Sequence, residues 1–225
     1  MNKLTMEESL MSNGLNNSLS ANTLIFLQNH AVTTALLGAH HPRLGVSNWD
    51  LMRSENYPAD QGAILLPVPA GGVTLEDPAL EAYWLPQGGH IEVPINNPAA
   101  PFIFTPEFSG CKLYVDKVWA QPYYRIFHIQ CDHEAAEYPA NMRGDRLATI
   151  DSRDYGEAPS VDGPAYPHRI GVIRCTVLMY FVGGAGWSIY LQGLTGIGPG
   201  ISDGRLVYPP GPAQNVSGVV VKQVP

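Results

Sequence analysis

Charge is scarce in this sequence, and basic charge is scarcer. Charged residues make up 15% of 225, with 13 Lys and Arg against 20 Asp and Glu, for a net charge of −7. A nucleic-acid surface needs clustered Lys and Arg to neutralise phosphates, and an anionic membrane surface needs much the same. Neither partner is expected. Long apolar runs are missing too: none reaches the roughly 18 residues that a membrane-spanning helix requires. Cysteine is limited to Cys111, Cys131 and Cys175. An odd number leaves at least one free thiol, which suits a reducing compartment. The N-terminus carries Lys3 but then Glu7, Glu8 and repeated Asn and Ser, unlike a cleavable secretory signal. The expected location is the cytoplasm, or a target cell's cytosol reached by signal-independent export.

Nucleotide and metal signatures are thin as well. Gly193-Leu-Thr-Gly-Ile-Gly-Pro-Gly200 is glycine-rich but has no Gly-Lys-Ser/Thr ending and no strand-helix context, so it reads as a loop. The adjacent His40 and His41 diverge and lack acidic or Cys ligands at familiar spacing. His128, Cys131 and His133 match no common zinc pattern. No metal and no cofactor is expected.

What the chain does have is 45% hydrophobic residues, 23 Gly and 20 Pro. That combination gives a real core interrupted by many turns, with few long helical patterns. The expected fold is α+β: a single-domain β-sandwich of mixed sheets with a few short peripheral helices. Residues 1–22 read as a polar arm, with a short helix at 6–12 started by the Thr5/Glu8 capping box. Residues 23–225 form the domain. Asn22 to Leu37 fits one helix or two strands equally well. Short strands are expected at 63–68, 73–75, 81–85 and 90–95, with loops at 56–61 and at 96–101, the latter leading into Phe102-Ile-Phe104. A central strand is expected at 170–182, its partner at 187–191 and a last strand at 216–221. Residues 141–168 read as a long connection that walls a substrate groove.

One stretch carries chemistry. Lys112–Val118 and Tyr123–Gln130 are rich in β-branched and aromatic residues and flank the short connection Trp119-Ala-Gln-Pro122. A hairpin that pairs Val118 with Tyr123 sets Leu113 opposite His128 and Gln130 opposite Cys111. Cys111 and His128 then lie diagonally on one face, roughly 7–8 Å apart at the backbone. A thiol near an imidazole can give up its proton and become a nucleophile, forming an ion pair. Attack on an amide carbonyl creates an oxyanion that needs fixed N–H donors. Backbone amides around Ser109, Gly110 and Cys111 are the expected suppliers, and Gly110 permits a tight bend. Thr105 offers a hydroxyl to orient the histidine or the substrate. Asp132, also expected to cap a short helix through Ala136, is a candidate orienter of the histidine, as is Gln130. Cys175 reads as a small core residue, and Arg174 beside it needs a partner.

Thr105-x5-Cys111-x16-His128, with Gly110 before the cysteine, resembles the chemoreceptor glutamine deamidases. Phe108-Ser-Gly-Cys111 is similar to the Leu-Ser-Gly-Cys motif of the cytotoxic necrotizing factor and Burkholderia lethal factor toxins, with Phe108 in place of the leucine. The lethal factor is also similar in its Trp-Leu-Pro segment, here Trp84-Leu85-Pro86, and in the Lys112 that follows the cysteine. The likeness covers about residues 80–135. It implies a deamidase-toxin-like fold and a protein substrate with an accessible glutamine. It makes Cys111 the nucleophile, His128 the base and Thr105 the supporting hydroxyl, in a toxin or effector role. A transglutaminase or peptidase could use the same pair. A non-enzymatic β-sandwich binding module is the alternative of another class; there Cys111 and His128 are core residues.

Overall fold

The computed structural model describes residues 14–34, 45–53, 62–68, 77–155, 174–196, 200–202, 205–207 and 214–225. Its elements run α1 (Leu15–Ala21), α2 (Thr23–Asn29), β1 (Ala31–Thr33), β2 (Val46–Arg53), β3 (Gly62–Pro67), β4 (Leu80–Trp84), β5 (His90–Pro94), β6 (Phe102–Phe104), β7 (Lys112–Lys117) and β8 (Tyr123–Ile129). Then come α3 (Glu134–Glu137), β9 (Asp145–Ile150), α4 (Ser152–Tyr155), β10 (Arg174–Val182), β11 (Gly186–Thr195), β12 (Gly200–Ser202), β13 (Arg205–Val207) and β14 (Asn215–Gln223). The protein is mostly β with short helices, as the composition implied. No helix among the described residues is long and apolar enough to cross a membrane.

Two sheets make the body. The larger has the order β1-β3-β2-β4-β6-β10-β11-β14, and the smaller β5-β8-β7-β9; β12 and β13 pair separately. The larger sheet is mixed, with parallel pairs at β1–β3 and β4–β6. The smaller is antiparallel throughout. Strand alternation sorts side chains between two cores. On β10, Val177 and Met179 join Leu113, Val115 and Ile126 of the smaller sheet in the layer between the sheets. Leu178 faces the other way, into a second core with Trp49, Trp84, Phe102 and Phe104.

That second core is wrapped because the larger sheet curls until its ends approach. Gln192 on β11 is fully buried and ties the ends together. Its carboxamide accepts from the Val32 N–H at 2.8 Å and donates to the Leu27 and His30 carbonyls. Thr176 on β10 donates to the Val32 carbonyl. Short helices α1 and α2 cover the opening, with Leu15, Leu19, Phe26 and Leu27 in the inner core.

Several sequence expectations change here. The polar arm was drawn through residue 22, yet Leu15, Asn16 and Leu19 are buried, so residues 15–21 belong to the packed fold. Asn16 holds itself in with polar bonds, to Asp50 at 2.7 Å and from the Leu51 N–H at 3.0 Å. As far as Thr34, the last described residue of the stretch 22–37, the chain is a helix and then a strand: α2 caps on Asn22, whose side chain accepts from Ile25 N–H, and β1 follows. The stretch 141–168 is not connection throughout, because 145–150 forms β9 on the edge of the smaller sheet. Buried Asp116 on β7 holds it there, accepting from Arg146, the Tyr138 hydroxyl and the Gly144 N–H. Gly144 must be glycine for this approach, since a Cβ would sit 2.1 Å from the Lys117 carbonyl oxygen. The strand after the 183–186 turn runs on to Thr195, with a bulge at Gly193/Leu194. The readings at 6–12, 40–41, 56–61 and 73–75, and the segment 156–168, lie outside the described residues.

Candidate functional site

The chain leaves the larger sheet at the end of β6 and enters the smaller one at Lys112, the start of β7. The crossing segment Thr105–Cys111 therefore spans the two layers. It is pinned in the middle by Phe108, which bridges Cys175 of β10 with backbone bonds of 2.8 and 2.9 Å. Glu107 adds a second anchor: its carboxylate accepts from Thr33, from the Thr34 N–H at 3.2 Å and from Arg174 at 3.2 Å. Arg174 thus has the partner its position demanded. Gly110 turns the chain with φ of 101°, a left-handed conformation that a side chain would strain.

The β7–β8 hairpin has the register that the sequence implied. Val118 N–H bonds the Tyr123 carbonyl at 3.0 Å, and Leu113 faces His128. His128 is therefore directed into the layer between the sheets, on the side that carries Cys111, Leu113 and Val115. It is fully buried. On its other side the ladder continues to the Gly88-Gly89 turn: His128 N–H donates to Gly89 and its carbonyl accepts from Gly88. The imidazole packs on Phe108 with ring centroids 4.2 Å apart.

The key polar contact crosses between the sheets. Thr105 Oγ1 lies 2.6 Å from His128 Nδ1. The other ring nitrogen, Nε2, is buried and has no hydrogen-bond partner. Burial pushes the His128 pKa down to about 3, so the ring is neutral.

Cys111 is almost fully buried, with 4% of its surface exposed. Burial is the largest influence on its thiol and raises the pKa. Opposing it are hydrogen bonds to the sulfur from the Ser109 backbone, the Gln87 side chain and the Cys131 backbone. The Gln87 amide is 3.8 Å from Sγ. No hydrogen bond joins Cys111 Sγ to His128 Nε2. At rest the site therefore holds a thiol and a neutral imidazole with no hydrogen bond between them, in place of the expected ion pair. Desolvation in the interlayer core disfavours both charged forms.

The expected oxyanion donors divide. The Ser109 backbone acts on the sulfur, lowering the thiol's pKa, but the Gly110 N–H is taken by the Tyr155 hydroxyl at 3.2 Å. That hydroxyl donates in turn to the Cys111 carbonyl, so Tyr155 from α4 clamps the turn. The Cys131 backbone and the Gln87 side chain also lower the thiol's pKa. The two candidate orienters are also displaced. Gln130 directs its carboxamide to exposed His133, 3.2 Å away. Asp132 is exposed in a left-handed turn with φ of 63°. It caps nothing: α3 starts after His133, without a side-chain cap bond. Thr105 alone orients the imidazole. Among the described residues, no group of three or more His, Cys, Asp or Glu is placed to hold a metal ion.

Gln87, Glu107 and Tyr155 are site residues that sequence reading passed over. Gln87 had a signal: it follows Trp84-Leu85-Pro86 and opens the turn into the strand beside His128. Tyr155 had none, because it reaches Cys111 from 44 residues away. No protein-family model matches the sequence, and no curated protein matches it.

Proposed function

We propose that this chain is a thiol-dependent deamidase that converts a glutamine side chain in a protein to glutamate and releases ammonia. The observation that carries the reading is the Thr105–His128 contact of 2.6 Å. With the ring proton on Nδ1 and donated to Thr105 Oγ1, Nε2 presents its lone pair to the face that carries Cys111. That is the tautomer a base requires.

Cys111 Sγ attacks the carboxamide carbon as its proton passes to His128 Nε2. A base held near pKa 3 is weak at rest. The oxyanion that forms beside it supplies the negative charge that burial withholds, so basicity rises as the proton moves. The Gln87 amide, which contacts the sulfur, and the Ser109 and Cys131 N–H groups, which lower its pKa, receive the oxyanion. His128 then returns the proton to the departing nitrogen, ammonia leaves and a thioester remains. Water hydrolyses the thioester with His128 as base, giving glutamate and the free thiol. Catalytic hydrogen bonds commonly close only when substrate binds, which accounts for the missing Cys111–His128 bond.

The choice of a protein glutamine, and of a toxin or effector role, is supported by the resemblance over residues 80–135. With a protein extract as substrate, the wild-type chain is expected to release ammonia and Cys111→Ser none. Equal ammonia from both would overturn the reading. New peptide termini without ammonia would favour the peptidase alternative.

A further inference from the structure

The turn after β8 brings a second thiol to the nucleophile. Cys131 is exposed, whereas Cys111 is buried. Both the backbone and the thiol of Cys131 act on the Cys111 thiol, the first lowering its pKa and the second raising it. A Cβ placed on Gly110 would lie 3.8 Å from both Cβ and Sγ of Cys131. The Cys131 thiol therefore lies over the side-chain position that Gly110 leaves vacant, one residue from Cys111. Gly110 lies in the bend just before the last ladder pair, Lys112↔Ile129, and Cys131 in the turn just after it.

We propose that Cys111 and Cys131 form a reversible disulfide under peroxide, and that this bridge closes the site by tying up the Cys111 sulfur. The exposed Cys131 thiol attacks the O–O bond of hydrogen peroxide and gives its proton to the departing hydroxide, leaving a Cys131 sulfenic acid and water. Cys111 Sγ then attacks the Cys131 sulfur, and the hydroxyl leaves with the Cys111 proton as a second water. Two thiols lose two electrons, and one peroxide gains them. A dithiol reductant reverses the bridge by thiol exchange at the exposed Cys131 sulfur. Cys175 has no part in this: it is fully buried under the Phe108 bridge. The bridge itself does not depend on the deamidase reading; only its effect on turnover does.

Peptide mapping by mass spectrometry tests the pair. The full chain is treated with hydrogen peroxide at neutral pH, and remaining thiols are then alkylated in denaturant. The expected product joins the Cys111 and Cys131 peptides, leaves Cys175 alkylated, and reverts with dithiothreitol. In Cys131→Ser, at an exposed position, no bridge should form and Cys111 should stay alkylatable at the same dose. Oxidation of Cys131 alone, or a Cys131 link between two molecules with Cys111 still alkylatable, would overturn the proposal. The bridge is read by mass rather than by turnover. A chain without deamidase activity can still pass this test, and a chain that fails it can still be a deamidase.

Discussion

Acid should unfold this protein through one residue. As pH falls from 6.5 to about 3, the chain is expected to lose roughly 5 kcal/mol of stability that His128→Gln does not lose. The sign follows from where protons bind. An unfolded chain takes up a proton on histidine near pH 6.5, whereas the folded chain refuses it until about pH 3. Between those values the unfolded state binds more protons, so stability falls with pH. Above 6.5 the contribution is fully present. Buried Asp50 works in the opposite direction, because burial raises its pKa; it is common to both proteins and cancels in the difference. Glutamine is of similar size and can still meet Thr105. Denaturant unfolding at pH 7, 5.5 and 4 measures the effect. Curves that shift in parallel in the two proteins would mean that His128 is hydrated, and the interlayer site would have to be redrawn.

Thr105→Val is expected to lower kcat on the order of 10²-fold, with Thr105→Ser recovering most of it. Valine has nearly the same shape, so the buried space stays filled. What disappears is the only polar contact of the imidazole. His128 Nδ1 then has nowhere to place its proton, and the tautomer with a free Nε2 lone pair loses its advantage. The lost bond should also cost about 1–3 kcal/mol of stability, because a buried polar atom is left unpaired. Thr105 is a positioning residue in this account, so the loss should fall on kcat more than on KM. A valine variant with full kcat would show that His128 needs no orientation, which removes the main support for a base.

How the chain reveals its site follows from the range of each interaction. The β7–β8 hairpin was legible because two β-rich runs flank a short connection, and that connection fixes the register. Leu113 opposite His128 follows from counting. Thr105 was legible as a nearby hydroxyl that could orient either the histidine or the substrate, but its contact with His128 was not fixed, because it crosses between sheets and no periodicity reports which strand joins which sheet. β9 was missed because it is an edge strand with a half-exposed pattern, so its hydrophobic signal is weak. The helix α1 was missed because two leucines four residues apart, Leu15 and Leu19, sit in an otherwise polar run. The ion pair was misjudged for a different reason. Spacing shows that two groups can meet but not how dry the meeting place is, and here dryness sets both protonation states.

The most direct test of the account is the identity of the product. Proteins of an extract are incubated with wild-type chain or with Cys111→Ser, digested and mapped by mass spectrometry. The account expects particular glutamines to become glutamates with the wild-type chain only, with no new peptide termini and no isopeptide links to added amines. Glutamine left intact throughout, with ammonia absent and Cys111 alkylating as slowly as a buried core thiol, would contradict it. The Cys111–His128 pair would then be part of the packing between two sheets, and the protein would be better understood as a binding module.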